Sequence, residues 1–302
     1  MYWRRMYRIV FPDLGFEFNN LDEQEALNIS FSIDKDLTEA TNKSKLTIIN
    51  LSEETIRKIE KADTAVEIYA GYRDNGGALQ IFSGSIIECE TKDEGVDVVT
   101  EMTLSDGQVS VRDTMVTLNF APDTNSKVIV EMLAKEMNLP LVLGKDVTFK
   151  SYPEGYSFYG KAADALSEVC KGNKLTWSIQ NGELTIILNG GITAQRGIVF
   201  SASSGLIGAP ERVINANQYE DLMTIAREID QKELKEKPNK SEGWRIKVLL
   251  SPTVQAGDYI KVESRRVQSW MRVEKIKHSG NLDGGEWITE LELVEVDLNA
   301  DG

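Results

Sequence analysis

The sequence contains one histidine, His278, so any Ser-His or Cys-His nucleophile must be built around it. It stands in Ile276-Lys277-His278-Ser279-Gly280, at a strand end beside a glycine-rich turn, where a structural histidine is the plainer reading. Glycoside hydrolysis needs two carboxyl groups facing each other across a cleft, and among 48 acidic residues no pair stands out from ordinary surface charge. Cys89 and Cys170 lie far apart in apolar segments, and each reads as a small buried hydrophobe rather than a thiol nucleophile. Asp297-Leu298-Asn299-Ala300-Asp301-Gly302 copies the first six positions of a calcium loop without the later carbonyl and bidentate glutamate, so a polar tail is expected there. Gly71-Tyr72 and Asp74-Asn75-Gly76-Gly77 are glycine-rich, but no helix start or lysine follows to hold a phosphate. No catalytic, cofactor-binding or metal-binding residue is therefore expected. Trp177, Trp244, Trp270 and Trp287 fall within strand patterns, where core packing is the default, while Trp3 is placed to anchor an N-terminal arm on a neighbour.

A chain of 302 residues exceeds the usual size of one core, so two or three domains are expected. Hydrophobic residues at 41% and charged residues at 27% are ordinary for a soluble globular protein. The net charge of -14 disfavours nucleic acid and anionic membranes as partners. Two cysteines without a framework or a metal-ligand spacing fit a reducing assembly compartment. The N-terminal MYWRRMYRIVFPDLGF is interrupted by Pro12-Asp13 before it could act as a signal peptide, and no segment approaches ~18 uninterrupted apolar residues. A soluble protein made in the cytoplasm, without membrane insertion, is the expectation.

The elements that must position these residues are mostly short strands. Tyr7–Phe11, Phe16–Phe18 and the alternation Leu27, Ile29, Phe31, Ile33 come first, and the polar Asp34–Ser44 segment predicts an exposed turn. The stretch from Leu46 to Ser85 then reads as a strand, a short helix, a strand and a turn into another strand. Ser52 is its N-cap, Glu53 and Glu54 sit at the positive end of the helix dipole, and Arg57, Lys58 and Lys61 at the negative end. Asn75-Gly76-Gly77 marks the turn. A hairpin around Asp93-Glu94-Gly95 and a strand region over Val109–Phe120 complete an N-terminal domain, residues 1–121.

After Pro122 the period changes. Asp123, Thr124 or Ser126 is a candidate cap for a helix with apolar Val128, Ile129, Met132, Leu133 and Met137. Strands at Leu139–Leu143 and Tyr156–Tyr159 follow, then a helix over Lys161–Lys171 that buries Ala165, Leu166, Val169 and Cys170, with Gly172 at C′. Asn181-Gly182 between Leu175–Ile179 and Leu184–Leu188 predicts a type I′ hairpin. Residues 122–191 thus form a central α/β module. From residue 192 to 302 a second β domain is expected, with turn-rich SASSGLIGAPERV, a helical or charged insertion around 219–240, and strands at Trp244–Leu250, Tyr259–Val262, Val267–Lys277 and Trp287–Val296. The fold class is α+β, mostly β, with two barrel-like β domains flanking the module.

Several of these turns together resemble one family. Asn50-Leu51-Ser52, with Gly71 in V-x-I-x-A-G-Y and Gly84 in I-F-x-G-x-I, is similar to the N-terminal barrel of tailed-phage baseplate hub proteins, the late-control-protein-D-like tail hubs. Gly205-Leu206-Ile207-Gly208-Ala209-Pro210 resembles the family's GLIG-x-P turn, and Gly243-Trp244 through Pro252 its GW-x-V-x-x-LL-x-P strand. Ala256-Gly257-Asp258-Tyr259-Ile260 resembles PGD-x-V, and Val273 through His278-Ser279-Gly280 resembles RV-x-x-x-x-H-S-G. The family commonly continues with Asp, where this chain has Asn281. These residues are turn and strand chemistry rather than a reactive site.

The resemblance implies a non-enzymatic virion protein of the tail baseplate, assembled in the host cytoplasm. It implies a homotrimeric ring that adapts a hexameric tail tube to a trimeric central spike. Its partners would be the tail tube protein, the central spike protein, the tape measure protein and baseplate wedge or ring proteins, with no cofactor and no specific nucleic-acid binding. A tail-tip hub with cell-wall hydrolase activity in the central module, where Asp164, Glu168 and Glu183 lie, is one alternative; a hub or tube component of a phage-derived bacterial injection machine is another.

Overall fold

A computed structural model describes residues 4–22, 26–37, 42–61, 63–107, 111, 113–193, 195–214 and 242–295. Twenty strands, three α-helices and a 3-10 helix at Pro12–Leu14 occupy them, with further helical residues at 111 and 113. The chain opens with β1 (Arg5–Phe11), β2 (Phe16–Asn19), β3 (Ile29–Asp36), β4 (Lys43–Ile49) and α1 (Glu53–Ile59). It continues through β5 (Ala65–Tyr72), β6 (Gly77–Glu94) and β7 (Asp97–Ser105). Helix α1 starts where Ser52 predicts: the Ser52 hydroxyl accepts the Thr55 amide at 3.2 Å. Arg57–Glu53 and Lys58–Glu54 pairs brace its exposed face, and Ile56 and Ile59 are buried.

Of the segment Asp34–Ser44, residues 38–41 lie outside the described residues, and the described ends are strand rather than exposed turn. β3 runs on through Asp36, and Lys35, Asn42 and Ser44 are buried, so polar composition at this point marks a polar core site. Val109–Phe120 is likewise not one strand region. Val111 and Asp113 are helical, the Val111 amide bonds to the Gly107 carbonyl at 2.9 Å, and the strand β8 covers only Met115–Phe120. Val116 and Leu118 of β8 pack in the central core, beside Ile129 and Leu166.

The central elements are β9 (Thr124–Asn125), α2 (Ser126–Glu136), β10 (Leu141–Leu143), β11 (Ser151–Tyr152), β12 (Tyr156–Lys161), α3 (Ala162–Gly172), β13 (Leu175–Gln180) and β14 (Glu183–Leu188). Asn125, rather than Asp123, Thr124 or Ser126, caps α2, its side-chain oxygen accepting the Lys127 amide at 2.9 Å. The buried face of α2 is Ile129, Val130, Leu133 and Ala134; Val128 and Met132, expected inside, are exposed. Helix α3 includes Gly172, and the left-handed residue after it is Lys174, with φ 58°. The hairpin forms as predicted, Asn181 and Gly182 both having positive φ (52° and 75°).

The last strands are β15 (Gln195–Phe200), β16 (Leu206–Ile214), β17 (Glu242–Leu249), β18 (Tyr259–Glu263), β19 (Gln268–Asn281) and β20 (Trp287–Glu295). Leu206–Ile214 is a strand, not a run of turns; a register shift between Ile207 and Glu211 absorbs Gly208. The insertion around 219–240, Trp3 and the 297–302 tail lie outside the described residues.

Because β3 pairs with β4 on one side and with β19 on the other, the N- and C-terminal strands form one sheet, ordered β16-β17-β20-β19-β3-β4-β7-β6-β5-β1-β2. Its end strands do not pair, so among the described residues no barrel is closed. The fold is α+β and mostly β, with apolar clusters in the N-terminal, central and C-terminal regions.

Candidate functional site

The motif glycines are explained by what comes close to them. Trp287 is 3% exposed and its indole N–H donates to the Gly71 carbonyl at 3.1 Å. The Tyr72 hydroxyl donates to the Trp287 carbonyl at 3.0 Å and accepts the Leu250 amide at 3.3 Å. Phe31 meets the indole edge-on at 5.2 Å, and the Arg5 guanidinium lies 5.6 Å over its ring. A Cβ at Gly280 would stand 2.3 Å from Phe31 and 2.9 Å from Trp287. Gly71 lacks a Cβ for a different reason, since one would stand 2.0 Å from the Gly77 carbonyl; through its own carbonyl it meets Gly280, 209 residues away in sequence, at one indole that ties β5 to β19 and β20.

The other motif residues shape local backbone. Asn50 (φ 63°) exchanges bonds with Asp97 and Val98, and Leu51 enters the N-terminal core. Gly84 lets β6 pass the Ser105 carbonyl, which a Cβ would approach to 2.3 Å. Gly205 has φ 106° and its carbonyl accepts the Leu249 amide at 2.8 Å; Leu206 packs against the C-terminal core, Pro210 is buried, and Pro252 lies in the turn after Leu250. Gly257 (φ 89°) abuts Thr193, and the buried Asp258 carboxylate accepts the Gln255 amide at 2.9 Å.

Sequence reasoning missed a buried polar cluster. Lys35 points to the inner face of β3 and donates to the Asn181 side-chain oxygen at the tip of the central hairpin. Asp106, 1% exposed, accepts the Asn42 amide at 3.0 Å. Burial pushes Lys35 down to about 8 and Asp106 up to about 6, each partly offset by the attraction of the other. The hairpin tip thus carries a second role: Asn181 makes the turn and satisfies a buried ammonium.

Also missed was an outward charge lattice. Asp36, Lys275, Glu292 and Arg245 lie abreast across β3, β19, β20 and β17; Asp34, Lys277, Glu290 and Lys247 form the row beside them. Arg245–Glu292 and Lys247–Glu290 close to 2.7 and 3.1 Å, and a shallow cavity of about 380 Å³ lies along the rows. The signal was present in four tripeptides, Asp34-Lys35-Asp36, Arg245-Ile246-Lys247, Lys275-Ile276-Lys277 and Glu290-Leu291-Glu292, whose alternation of sign becomes visible only once strand order is known.

His278 lies within β19 rather than at its end, 1% exposed, with Nδ1 2.8 Å from the Thr289 hydroxyl. Burial, then Lys35, pushes it down to about 3, so it is neutral at pH 7 and sealed from substrate. Asp164 and Glu168 lie exposed on α3 and Glu183 exposed on β14, and among the described residues none of the three lines the cavities beside β3 and β19, β8 and α2, or Trp287. Burial raises Cys89 to about 11, away from thiolate chemistry. Among the described residues no group of three His, Cys, Asp or Glu could hold a metal ion, and no helix is long and apolar enough to cross a membrane. The arrangement positions strands against one another.

Residues 12–212 match the family described as Baseplate hub gp41. No curated protein sequence matches the chain. Among solved structures, the fold is similar to the 43 kDa tail protein of prophage MuSo2 from Shewanella oneidensis, with a TM-score of 0.64 and 11% identity over 97% of this chain and 98% of that one. It is similar to a tail protein from Neisseria meningitidis MC58, with a TM-score of 0.63 and 11% identity over 97% of each chain. An E. coli component of the type VI secretion system, described as structurally similar to T4 bacteriophage tail proteins, gives a TM-score of 0.59 and 10% identity over 90% of this chain and 74% of that one.

Proposed function

Because this chain belongs to the baseplate hub gp41 family, we propose that it forms a homotrimeric ring in the phage tail baseplate and adapts a hexameric tail tube to a trimeric central spike. The family match over residues 12–212 is the observation that carries this reading. Two β regions per chain, within residues 1–121 and 192–302 and without β8, which packs with the central elements, would alternate around the ring, and three chains would supply six positions toward the tube. The continuous sheet supports it, because β3–β19 pairing holds the two β regions at a fixed spacing, which a six-fold match requires. The partners are the tail tube and central spike proteins, with the tape measure and wedge or ring proteins around them. The place is the virion baseplate, after assembly in the host cytoplasm. Role and architecture require no catalytic residue, and the net charge of -14 suits a conduit whose wall does not hold DNA.

Co-expression with the tail tube and central spike proteins, followed by electron microscopy, tests this. A three-fold ring between tube and spike is the expected result; failure of the chain to co-purify with either would overturn it. The fold shared with a type VI secretion component favours, as a second reading, the same ring in a phage-derived injection machine. Neighbouring capsid genes would assign the ring to a phage, and their absence to the machine. A hydrolytic role in the central module would appear as peptidoglycan clearing in a zymogram that Glu168→Ala abolishes.

A further inference from the structure

β8 pairs only with β12 among the described residues, in a two-stranded sheet. Its other edge faces a groove of about 290 Å³ lined by all six β8 residues, Met115 through Phe120, and by Met132 and Glu136 of α2. No β12 residue lines the groove, so it runs along the open edge. Met115 is 56% exposed, and Val128 and Met132 are 48% and 38% exposed. Val128, Met132 and Glu136 recur at intervals of four and share one helix face. The result is an unpaired strand edge beside a helical wall made of apolar Met132 and charged Glu136, a geometry that accepts an extended segment alternating apolar and polar residues.

We propose that the groove takes the segment Val296–Asp301 of a second copy of this chain as an added strand. This rests on the ring reading above, which brings copies side by side. The segment follows β20 directly and alternates apolar Val296, Leu298 and Ala300 with polar Asp297, Asn299 and Asp301. Its six residues match the six of β8, roughly 20 Å at about 3.3 Å per residue. Added in the register that puts Val296, Leu298 and Ala300 on the side where Val116 and Leu118 are buried, the segment would meet Met132 with its apolar set and turn its polar set outward beside the exposed Met115, Thr117 and Asn119.

The test uses the chain ended after Glu295 and a fluorescent peptide covering Val294–Gly302. Anisotropy should show saturable binding, with a Kd on the order of 10–100 µM. Met132→Glu, at an exposed position whose folding a melting curve verifies, should weaken binding at least about ten-fold. N-methylation of alternate peptide amides should abolish binding on one edge of the peptide and spare it on the other, a signature of strand pairing that apolar docking lacks. Removal of residues 296–302 should lower the trimer fraction. No saturable binding, indifference to Met132→Glu and to methylation on both edges, or binding with an unchanged trimer fraction each overturns the proposal. A truncated chain that stays trimeric without binding peptide sinks this inference and leaves the ring intact; a full chain that never trimerises while the peptide binds sinks the ring instead.

Discussion

Asp106→Asn should change the pH dependence of stability in a defined window. Burial raises the Asp106 carboxyl from 3.8 to about 6, so the folded state holds its proton more tightly than the unfolded one. Its favourable contribution is therefore complete below pH 3.8 and lost as pH rises through 6. At 1.36 kcal/mol per unit, a shift of roughly two units is worth about 3 kcal/mol. His278 acts in the opposite sense: lowered from 6.5 to about 3, it contributes stability above 6.5 that is lost as pH falls. The wild-type profile therefore mixes two opposing slopes, and the informative quantity is variant minus wild type, in which His278 and the overall charge cancel. In the variant, the carboxamide oxygen at position 106 keeps the bond from the Asn42 amide, while Lys35 loses the attraction of the Asp106 carboxylate and is pushed down further; any proton it gives up as pH rises relieves a buried charge and so also favours the variant. Urea unfolding followed by tryptophan fluorescence from pH 4 to 7 should show the difference growing in the variant's favour by about 3 kcal/mol. Parallel profiles would refute the burial argument, because an Asp106 open to water has no folded-state shift to lose.

Three further outcomes follow from close contacts and from the hairpin. Gly280→Ala places a methyl group 2.3 Å from Phe31 and should cost roughly 1–3 kcal/mol of stability, measured by thermal unfolding. Gly182→Val puts a β-branched residue at φ 75° and should destabilise the central module by on the order of 1–3 kcal/mol, seen as a lower melting temperature. Asn181→Ala keeps a turn but removes the acceptor of the Lys35 ammonium, and should cost on the order of 1–3 kcal/mol at pH 7 and less above pH 8, where Lys35 is neutral.

Local signals were legible where short-range chemistry decides the outcome. The Ser52 cap, the Asn181-Gly182 turn and the buried face of α3 each depend on neighbours a few residues away. The reading failed where distant strands decide. Asp34–Ser44 looks solvated because its partners, Asp106 and Asn181, lie some 60 to 150 residues further along. Val128 and Met132 fit a helical apolar stripe, yet α2 buries the adjacent face of Ile129, Val130, Leu133 and Ala134. The motif glycines were recognised as turn residues, but the service of Gly71 and Gly280 to Trp287 required the β5, β19 and β20 registers. The charge lattice was hidden for the same reason: each tripeptide is an ordinary solvated strand until four of them are laid abreast.

The trimeric ring is tested most directly by native mass measurement of the purified full chain across a range of concentrations. The account predicts a species of three times 33.8 kDa that grows with concentration. A single species at 33.8 kDa throughout, unchanged when the central spike protein is added, would contradict it.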